Sequence, residues 1–570
     1  MKSNGPFLLI ILDGYGIRRE REGNAVAQSS TPFFDYISGA TRNKDFLRRY
    51  GPVSYTTLTA VGPPVGMPEG ARGSTAVGHE VLSGVDYRHP MYLIREGIKN
   101  EEMVSPEIDA AVKYAVRYRS TLHLMGLISD NREHSDIRHL YAILRRAATL
   151  GQKKMRLHFF SDGRGTPPQS GPRFVRELRE KISEITGGDK SFDVRIATVA
   201  GRDISMNRSA LYWNKTVSVF RAIVAADARR LDTIERAFEQ AYALGLNDQY
   251  VPVGVIGDYQ GIENHDSLIH FNFRRDRSEM LMKLFAEPED EIADMLRNSP
   301  DATYRDIKEF RKSAGKDGLD FSTLALTALV EYYKGIPCPV AFRAKAHEWT
   351  LGRVLSENGF RQTFMSGVDK AAALPLLNGA ERKKLYAEQE SIIVPLPPEM
   401  EQYIRDYDLH KGRTGFEQNP YEKYPEVELR ELTDAVIAQL RTADDKTFIA
   451  VNICNPDMVG HTANMRAAIE CVERIDVSLR EIAEQLLDRR GIMLLTADHG
   501  NIEELFTDGE PNTYHTRAKV PFAVLGLPEE RPLRTNGTLK DVAPTILYLL
   551  FGKERPDIKE RFPGRVLFRQ

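Results

Sequence analysis

The sequence contains three short, continuously apolar runs. They extend from Phe7 to Leu12 (FLLIIL), from Phe448 to Cys454 (FIAVNIC) and from Gly491 to Leu495 (GIMLL). A continuous apolar run of this length predicts a strand of a parallel sheet that is covered on both faces. Each run is followed within a few residues by aspartate, so acidic groups are expected at the ends of these strands.

Other segments repeat apolar residues at spacings of three and four, which predicts amphipathic helices. The clearest helices are expected from Ala467 to Leu487 and from Val427 to Leu440. Apolar runs alternate with such helical segments along the chain. This alternation predicts an α/β fold, in which helices flank a central sheet.

A chain of 570 residues exceeds what one hydrophobic core usually supports, so two domains are expected. Turn-forming residues cluster from Gly84 to Pro90 and again from Ser313 to Phe321. If both clusters are connections, residues 85–322 form an inserted α/β domain. Residues 1–84 and 323–570 then form one discontinuous domain.

The composition and charge of the chain argue against several classes of protein. The net charge is −2, and lysines and arginines are spread along the chain, which argues against a nucleic-acid or membrane surface. Cys338, Cys454 and Cys471 are odd in number and irregularly spaced, which favours reduced thiols. The first apolar run is too short for a signal or spanning helix. A cytoplasmic protein is expected.

The apolar runs and a later segment present six candidate metal ligands. In open α/β sheets ligands bind beyond the carboxyl ends of the strands, so these residues are expected to converge. Asp457 and His461 are four residues apart, and a helical turn would place them on one face. The six candidates are Asp13, Asp457, His461, Asp498, His499 and His515.

Carboxylate and imidazole ligands without cysteine favour manganese, magnesium or zinc over iron–sulfur or copper chemistry. A hydroxyl-rich loop at Ser74 and Thr75 lies between the ligand motifs. The pattern therefore predicts a two-metal site that activates an alcohol to attack phosphorus. Taken singly, each aspartate could instead cap a helix and each histidine could be a hydrogen-bonded core residue.

A second set of residues follows strand-like runs in the predicted inserted domain. Guanidinium groups bind carboxylate and phosphate with paired hydrogen bonds, so converging arginines suit a small, doubly anionic substrate. The alternative is that each arginine is a solvated surface charge. The candidate substrate-binding residues are His134, Arg164, Arg202, Arg208, Arg274 and Arg277.

Taken together, these motifs resemble those of the cofactor-independent phosphoglycerate mutases of the alkaline phosphatase superfamily. The matching stretches occur in the family's order, from Leu9 to about Leu547. They include ILDGYG, VGMPEGARGSTAVGH, HLMGLISD, SDGRGTPP, IATVAGRDISM, HFNFRRDR, TLGRVLSENG, NPDMVGHT, TADHGNIEE and YHT. The resemblance implies an alkaline-phosphatase-like central sheet with an inserted substrate-binding phosphotransferase domain. It also implies interconversion of 2- and 3-phosphoglycerate in glycolysis and gluconeogenesis, by a monomer.

The resemblance further implies a set of roles. One metal would be bound by Asp457, His461 and His515. The second would be bound by Asp13, Asp498 and His499 together with the nucleophile. The ions would be divalent, manganese first, with magnesium, cobalt or zinc also suitable, and 2,3-bisphosphoglycerate would not be needed.

The family nucleophile is a serine four residues before a histidine. Counting back from His79 gives Thr75, with Ser74 where the family has asparagine. Threonine carries the same hydroxyl chemistry, so Thr75 is the expected nucleophile and a metal ligand. Ser74 is the alternative if the loop is shifted by one residue.

Two positions depart from the family pattern. Gly165 replaces an aspartate that is thought to move a proton to and from the substrate hydroxyl. Glu348 stands where a lysine is expected beside the migrating phosphoryl group, and Lys345 or Lys370 would have to supply the missing cation. These departures leave open a metal-dependent phosphomonoesterase, or a mutase for another small phosphorylated hydroxy acid or sugar. A non-catalytic metal- or phosphate-binding relative is a third alternative, which the intact ligand set disfavours.

Overall fold

A computed structural model describes residues 4–208, 212–275, 277–297, 311, 318–343, 349–379, 386–410, 418–507 and 509–569. Contacts between residues divide the chain into two units. The first contains Met1–His89 and Ala346–Gln570, and the second is Pro90–Lys345. Within the described ranges, no helix has the length and apolar character needed to cross a membrane.

Eighteen strands are formed by the described residues. In chain order they are β1 (Phe7–Leu12), β2 (Ser54–Leu58), β3 (Ile98–Lys99), β4 (Glu102–Met103), β5 (Leu122–Ile128), β6 (Lys154–Ser161), β7 (Asp193–Gly201), β8 (Arg229–Leu231), β9 (Gly254–Ile256), β10 (Ser267–His270), β11 (Ala325–Ala328), β12 (Arg361–Gly367), β13 (Gln389–Val394), β14 (Thr447–Ile453), β15 (Ile492–Thr496), β16 (Phe506–Thr507), β17 (Glu510–Pro511) and β18 (Val520–Leu525).

The α-helices flank these strands in both units. They are Ala25–Gln28, Pro32–Ile37, Lys44–Tyr50, Thr75–Leu82, Pro90–Gly97, Pro106–Tyr118, Ile137–Thr149, Gly171–Thr186, Arg202–Ser205, Trp213–Ala225, Ile234–Ala243, Glu279–Ala286, Glu289–Arg297, Leu351–Glu357, Pro398–His410, Pro420–Lys423, Leu429–Thr442, Asn455–Gly460, Met465–Leu487, Val542–Phe551 and Pro556–Arg561. Shorter 3₁₀ segments are Pro63–Val65, Asp248–Tyr250, Phe321–Thr323, Val368–Asn378 and Leu539–Asp541.

The first unit is built on a seven-stranded sheet in the order β13-β12-β14-β1-β15-β18-β2. Strands β12, β14, β1 and β15 run parallel to their neighbours in this central part, whereas β18 pairs antiparallel with both β15 and β2. All six residues of β1 are buried. A strand covered on both faces explains why its sequence is continuously apolar rather than alternating.

The second unit contains its own seven-stranded sheet, in the order β11-β10-β5-β6-β7-β9-β8. Strands β11, β10, β5, β6 and β7 are mutually parallel, so their carboxyl ends lie at the same edge of the sheet. The α/β prediction, with a central sheet flanked by helices and a second α/β unit, is confirmed.

Most element boundaries lie close to those expected from the sequence. The run at Phe7–Leu12 is a strand over its full predicted length, and the long helix is Met465–Leu487 rather than 467–487. Its start moves because Asn464 caps the helix by accepting a hydrogen bond from the Ala467 amide at 3.2 Å. The other predicted helix is Leu429–Thr442, two residues later than expected at both ends.

The units divide at His89/Pro90 and at Lys345/Ala346, whereas the sequence placed the domain boundaries at 84/85 and 322/323. The second division lies later because β11 pairs in parallel with β10 and completes the sheet of the second unit. Residues 313–317 of the predicted connection lie outside the described residues. The roles expected of the two domains stay predictions at this stage.

Candidate metal centre and anion-binding cluster

Four adjacent parallel strands of the first unit each end in a charged residue. Asp13 follows β1 and Asp498 follows β15, while Asp457 and Lys370 follow β14 and β12. Because the strands are parallel, these ends lie at one edge of the sheet. Three carboxylates and one ammonium group are therefore brought together from distant parts of the sequence.

The turn after β1 allows this close approach. Gly14 has a φ of +78°, a backbone conformation that favours glycine, and a Cβ at this position would lie 2.7 Å from Asp457 Cα. The Gly14 amide donates a hydrogen bond to Asp498 Oδ1 at 3.2 Å. The glycine thus holds the ends of β1, β14 and β15 against one another.

The Thr75 hydroxyl lies among these groups. Thr75 Oγ1 is 2.9 Å from His499 Nε2 and 3.4 Å from Asp13 Oδ1. Lys370 Nζ donates to Thr75 Oγ1 at 2.9 Å, to Asp13 Oδ1 at 3.0 Å and to Asp457 Oδ2 at 2.7 Å. Lys370 was one of two lysines considered from the sequence as a compensating cation, and the structure places its amine beside Thr75.

Ser74, the alternative nucleophile, is the residue that precedes the helix Thr75–Leu82. It has extended backbone geometry, and its side chain makes no capping hydrogen bond to the helix. The contacts with His499, Asp13 and Lys370 are made by the hydroxyl of Thr75. The geometry therefore favours Thr75, although the choice of nucleophile stays a prediction.

A buried histidine ties the Thr75 helix to the strand ends. His79 Nδ1 lies 2.9 Å from the Thr75 carbonyl oxygen and 3.4 Å from Asp498 Oδ2. His79 Nε2 is 2.9 Å from Asn452 Nδ2, which also donates to Asp13 Oδ2 at 2.9 Å. Sequence reasoning assigned no role to Asn452 or His79, although a lone asparagine within an apolar run was a usable signal.

Two further histidines face each other near Asp457. His461 Nδ1 lies 2.8 Å from the Thr513 carbonyl oxygen, and His515 Nδ1 lies 2.9 Å from the Gly73 carbonyl oxygen. Each Nδ1–H can therefore donate a hydrogen bond to the backbone carbonyl oxygen, which leaves the lone pair of Nε2 available to bind a metal ion. The two Nε2 atoms are 3.2 Å apart and lie 3.2–3.4 Å from the Asp457 carboxylate.

These residues fit divalent metal ions. Ligand atoms of Asp13, Asp498 and His499 lie within 4.8 Å of one another, as do those of Asp457, His499 and His515. Asp498 Oδ2 is buried and makes no hydrogen bond, with the imidazoles of His79 and His499 each 3.4 Å away. A buried carboxylate oxygen without a hydrogen-bond donor is expected to bind a cation. The donors are oxygen and nitrogen, which suits hard or borderline divalent ions.

The electrostatics of the cluster are dominated by its carboxylates. Burial disfavours the charged form of Lys370, but the charges of Asp13, Asp457 and Asp498 outweigh it, so the pKa of Lys370 is raised. Burial and the nearby Asp498 raise the pKa of Asp13. Burial opposes ionisation of Asp498 as well, yet His499 and His79 lower the pKa of Asp498 to about 2. The cluster thus keeps a cation in place and retains carboxylate charge.

The second unit assembles most of the predicted anion-binding residues at the carboxyl edge of its sheet. His134 follows β5, Arg164 follows β6, Arg202 follows β7 and Arg274 follows β10. Arg202 is buried and donates to Asp162 Oδ1 at 2.5 Å. The amides of Arg164 and Gly165 also approach this oxygen, at 3.4 and 3.2 Å. Asp162 therefore organises the arginine-bearing loops.

The other predicted anion-binding residues differ in their burial and in their contacts. His134 is buried, and its carbonyl oxygen accepts hydrogen bonds from the amides of Phe273 and Arg274 at 2.9 and 3.4 Å. Arg277 Nη1 donates to the Met206 carbonyl oxygen at 3.2 Å. Arg208 and the Arg164 side chain are exposed.

Of the two positions that depart from the family pattern, only Gly165 lies within the described residues. Glu348 and Lys345 lie outside the described residues. At Gly165 an added Cβ would lie 1.4 Å from Asn131 Nδ2. The space that a side chain would need at position 165 is thus filled by Asn131.

Comparison with known proteins identifies the family of this chain. Residues 94–312 match the family model described as the BPG-independent PGAM N-terminus. The chain is 32% identical over 554 residues to the 2,3-bisphosphoglycerate-independent phosphoglycerate mutase of Moorella thermoacetica, covering 96% of each chain. The chain belongs to this mutase family. It is also 32% identical to the enzyme of the same name from Pseudomonas syringae, covering 97% of this chain and 96% of that one.

A solved structure supports the fold of this family member. The crystal structure of Leishmania mexicana phosphoglycerate mutase at low cobalt concentration matches it with a TM-score of 0.66 and 24% identity. The match covers 100% of this chain and 98% of that chain. The resemblance found in the sequence motifs is therefore confirmed, both for the family and for the fold.

Proposed function

We propose that this mutase transfers the phosphoryl group through the hydroxyl of Thr75. Membership of the family makes interconversion of 2- and 3-phosphoglycerate, in glycolysis and gluconeogenesis, its reaction. The observation that supports Thr75 as the nucleophile is that its hydroxyl contacts three side chains that are charged or can bind a metal ion, those of Lys370, Asp13 and His499. A nucleophilic hydroxyl needs such neighbours, because its proton must leave and its oxygen must be held in one orientation.

Two divalent ions are proposed at the carboxylate–histidine cluster, manganese first, with magnesium, cobalt or zinc also suited to the donors. Asp457, His461 and His515 would hold one ion. Asp13, Asp498, His499 and Thr75 would hold the other. When bound, such ions neutralise phosphoryl oxygens and lower the pKa of a coordinated hydroxyl. The cobalt named for the Leishmania mexicana enzyme belongs to a protein of the same fold.

The protein's own groups define the transfer. The Thr75 hydroxyl loses its proton and its oxygen bonds to phosphorus, while the ester bond to the glycerate oxygen breaks and that oxygen takes up a proton. The other glycerate hydroxyl then loses its proton and its oxygen bonds to phosphorus, while the bond between phosphorus and the Thr75 oxygen breaks and that oxygen takes up a proton. Lys370 Nζ, 2.9 Å from Thr75 Oγ1, orients this oxygen and offsets charge that develops on it.

The anion-binding cluster of the second unit is proposed to bind the glycerate carboxylate and hydroxyl groups. Its candidate groups are His134, Arg164, Arg202, Arg208, Arg274 and Arg277. Arg202 is already oriented by Asp162, and an oriented guanidinium loses less conformational freedom when it binds an anion. A monomeric, cytoplasmic enzyme is also proposed, which the three unpaired cysteines and the small net charge support.

Phosphorus NMR of the purified protein with manganese and 3-phosphoglycerate tests the function directly. We expect 2-phosphoglycerate to accumulate to equilibrium with almost no inorganic phosphate. Release of inorganic phosphate as the main product would instead identify a phosphomonoesterase. Addition of 2,3-bisphosphoglycerate should not change the rate.

A further inference from the structure

A carboxylate of the protein occupies part of the anion-binding cluster. Glu133 Oε1 lies 3.3 Å from His134 Nε2 and accepts a hydrogen bond from Arg274 Nη1 at 2.9 Å. His134 and Arg274 are two of the groups expected to bind the substrate anion. Glu133 therefore contacts the same nitrogen atoms that an incoming carboxylate or phosphate would use.

The position of Glu133 is fixed by its own loop. The Glu133 amide donates to Asn131 Oδ1 at 3.0 Å, and Asn131 Nδ2 donates to Asp162 Oδ2 at 3.1 Å. Arg132, between them, has a φ of +60°. Gly165 provides the room, since a Cβ there would collide with Asn131 Nδ2. Asn131, which occupies the space left by Gly165, thus holds the loop that carries Glu133 and His134.

Charge keeps this carboxylate ionised. A hydrogen bond from His134 is the largest cause that lowers the pKa of Glu133 to about 2, and the charges of Arg202 and Arg274 act in the same direction. The Glu133 side chain is 46% exposed and that of Arg274 is 45% exposed. An ion pair this exposed is weak and readily exchanged for another anion.

We propose that Glu133 is a specificity-determining residue, whose carboxylate occupies His134 and Arg274 in the free enzyme and must be displaced by the substrate anion. This inference rests on the proposed function, because the displacing ligand is the phosphoglycerate. A multiply charged ligand gains enough from the arginines to displace Glu133. A singly charged ligand meets the same competition with fewer contacts, so at equal concentration it leaves Glu133 in place, whereas a substrate that carries both a carboxylate and a phosphate displaces it.

The variant Glu133→Gln removes the charge and keeps the size of the side chain. We expect the KM for 3-phosphoglycerate to fall by up to about fivefold, the upper end of the range for one exposed ion pair. The kcat should stay within about twofold of the wild-type value, because the phosphoryl-transfer groups are untouched. The inhibition constant of inorganic sulfate, a competing anion, should fall in parallel with the KM.

Asp130→Asn is the matched control. Asp130 lies in the same loop, and the substitution removes the same charge, but Asp130 pairs with Arg173 at 3.2 Å rather than with the cluster. Its KM should be unchanged. Glu133→Asp, which keeps the charge and withdraws it by one methylene group, should give a KM between those of the wild type and Glu133→Gln.

An unchanged or raised KM in Glu133→Gln would overturn the inference. So would a large fall in kcat at constant KM, which would place Glu133 in the chemistry itself. If the wild type fails to interconvert phosphoglycerates, the proposed function fails separately. Calorimetric titration with sulfate then still decides the inference, which tighter binding by Glu133→Gln supports and equal or weaker binding contradicts.

Discussion

At the scale of single residues, Lys370 decides the charge of the metal centre. Its ammonium group contacts Asp13, Asp457 and Thr75. The raised pKa of Lys370 keeps it charged at neutral pH. It therefore offsets carboxylate repulsion and holds the Thr75 hydroxyl at the same time.

Lys370→Met should separate these two effects. The kcat should fall at least about 100-fold, because a preorganised charge beside the reacting oxygen is lost. Manganese should bind more tightly, because the carboxylates lose their competing cation. Steady-state rates and manganese titration measure the two quantities, with Lys446→Met as a control, since Lys446 Nζ donates to the Asn358 carbonyl oxygen and lies over the Phe360 ring, away from the candidate ligands. Equal rates for wild type and Lys370→Met would remove Lys370 from the mechanism.

At the scale of elements, apolar runs predicted the strands that carry the ligands. The run at Phe7–Leu12 ends sharply at Asp13, and β1 matches it fully. The runs before Asp457 and Asp498 predicted β14 and β15 to within one residue at each end. An apolar run shows where a strand is buried but does not show where ladder hydrogen bonds begin, so such shifts are expected.

The order of strands in the sheet was not predictable from the same patterns. Lys370 reaches the site because β12 lies next to β14, a pairing between segments far apart in sequence. Asn452 and His79 act through contacts that only the folded sheet creates. The sequence motifs predicted the candidate ligands, whereas the groups that contact them depended on tertiary packing.

At the scale of elements, a buried carboxyl group at the start of a helix makes the stability of the fold depend on pH. Glu428, at the start of the helix Leu429–Thr442, is 1% exposed and accepts a hydrogen bond from Cys454 Sγ at 3.3 Å. Burial raises the pKa of Glu428 from its ordinary 4.5 to about 7. Between these two pH values the unfolded chain has released a proton that the folded protein still holds. Rising pH therefore destabilises the fold through this window, and the penalty is complete above about pH 7.

Glu428→Gln should remove this penalty. The variant is expected to gain about 3 kcal/mol of unfolding free energy over the wild type at pH 8, as an upper limit, and little at pH 4.5. Denaturant unfolding of both proteins across this pH range measures the difference. Glu560→Gln, at an exposed position of the helix Pro556–Arg561, is the control. A stability difference that does not change with pH would contradict the assignment.

At the scale of the whole molecule, each unit has its own sheet and its own cluster of functional groups. The metal-binding candidates belong to the first unit and the arginine cluster to the second. Ligand removal should therefore act on one unit without a direct effect on the other. A chelator is expected to destabilise the first unit, since it removes the cations that offset its buried carboxylates.

Manganese at about 100 times its Kd should stabilise the protein by about 2.7 kcal/mol for each ion bound, by mass action. A rise in Tm on adding manganese to chelated protein measures this effect. Asp498→Asn should lose the part of the shift due to the ion held with Asp13, His499 and Thr75, because it removes a buried ligand. Glu133→Gln, in the second unit, should retain it. A manganese-independent Tm in the wild type would argue against a metal site at this cluster.

The identity of the phosphorylated residue tests the account most directly. Wild-type enzyme is mixed with manganese and 3-phosphoglycerate, quenched within milliseconds, and its peptides are analysed by mass spectrometry. We predict a phosphate on Thr75 that is retained in Ser74→Ala and absent from Thr75→Ala, which should also lose at least about 1,000-fold in kcat. A phosphate on Ser74, or an active Thr75→Ala variant, would contradict the account.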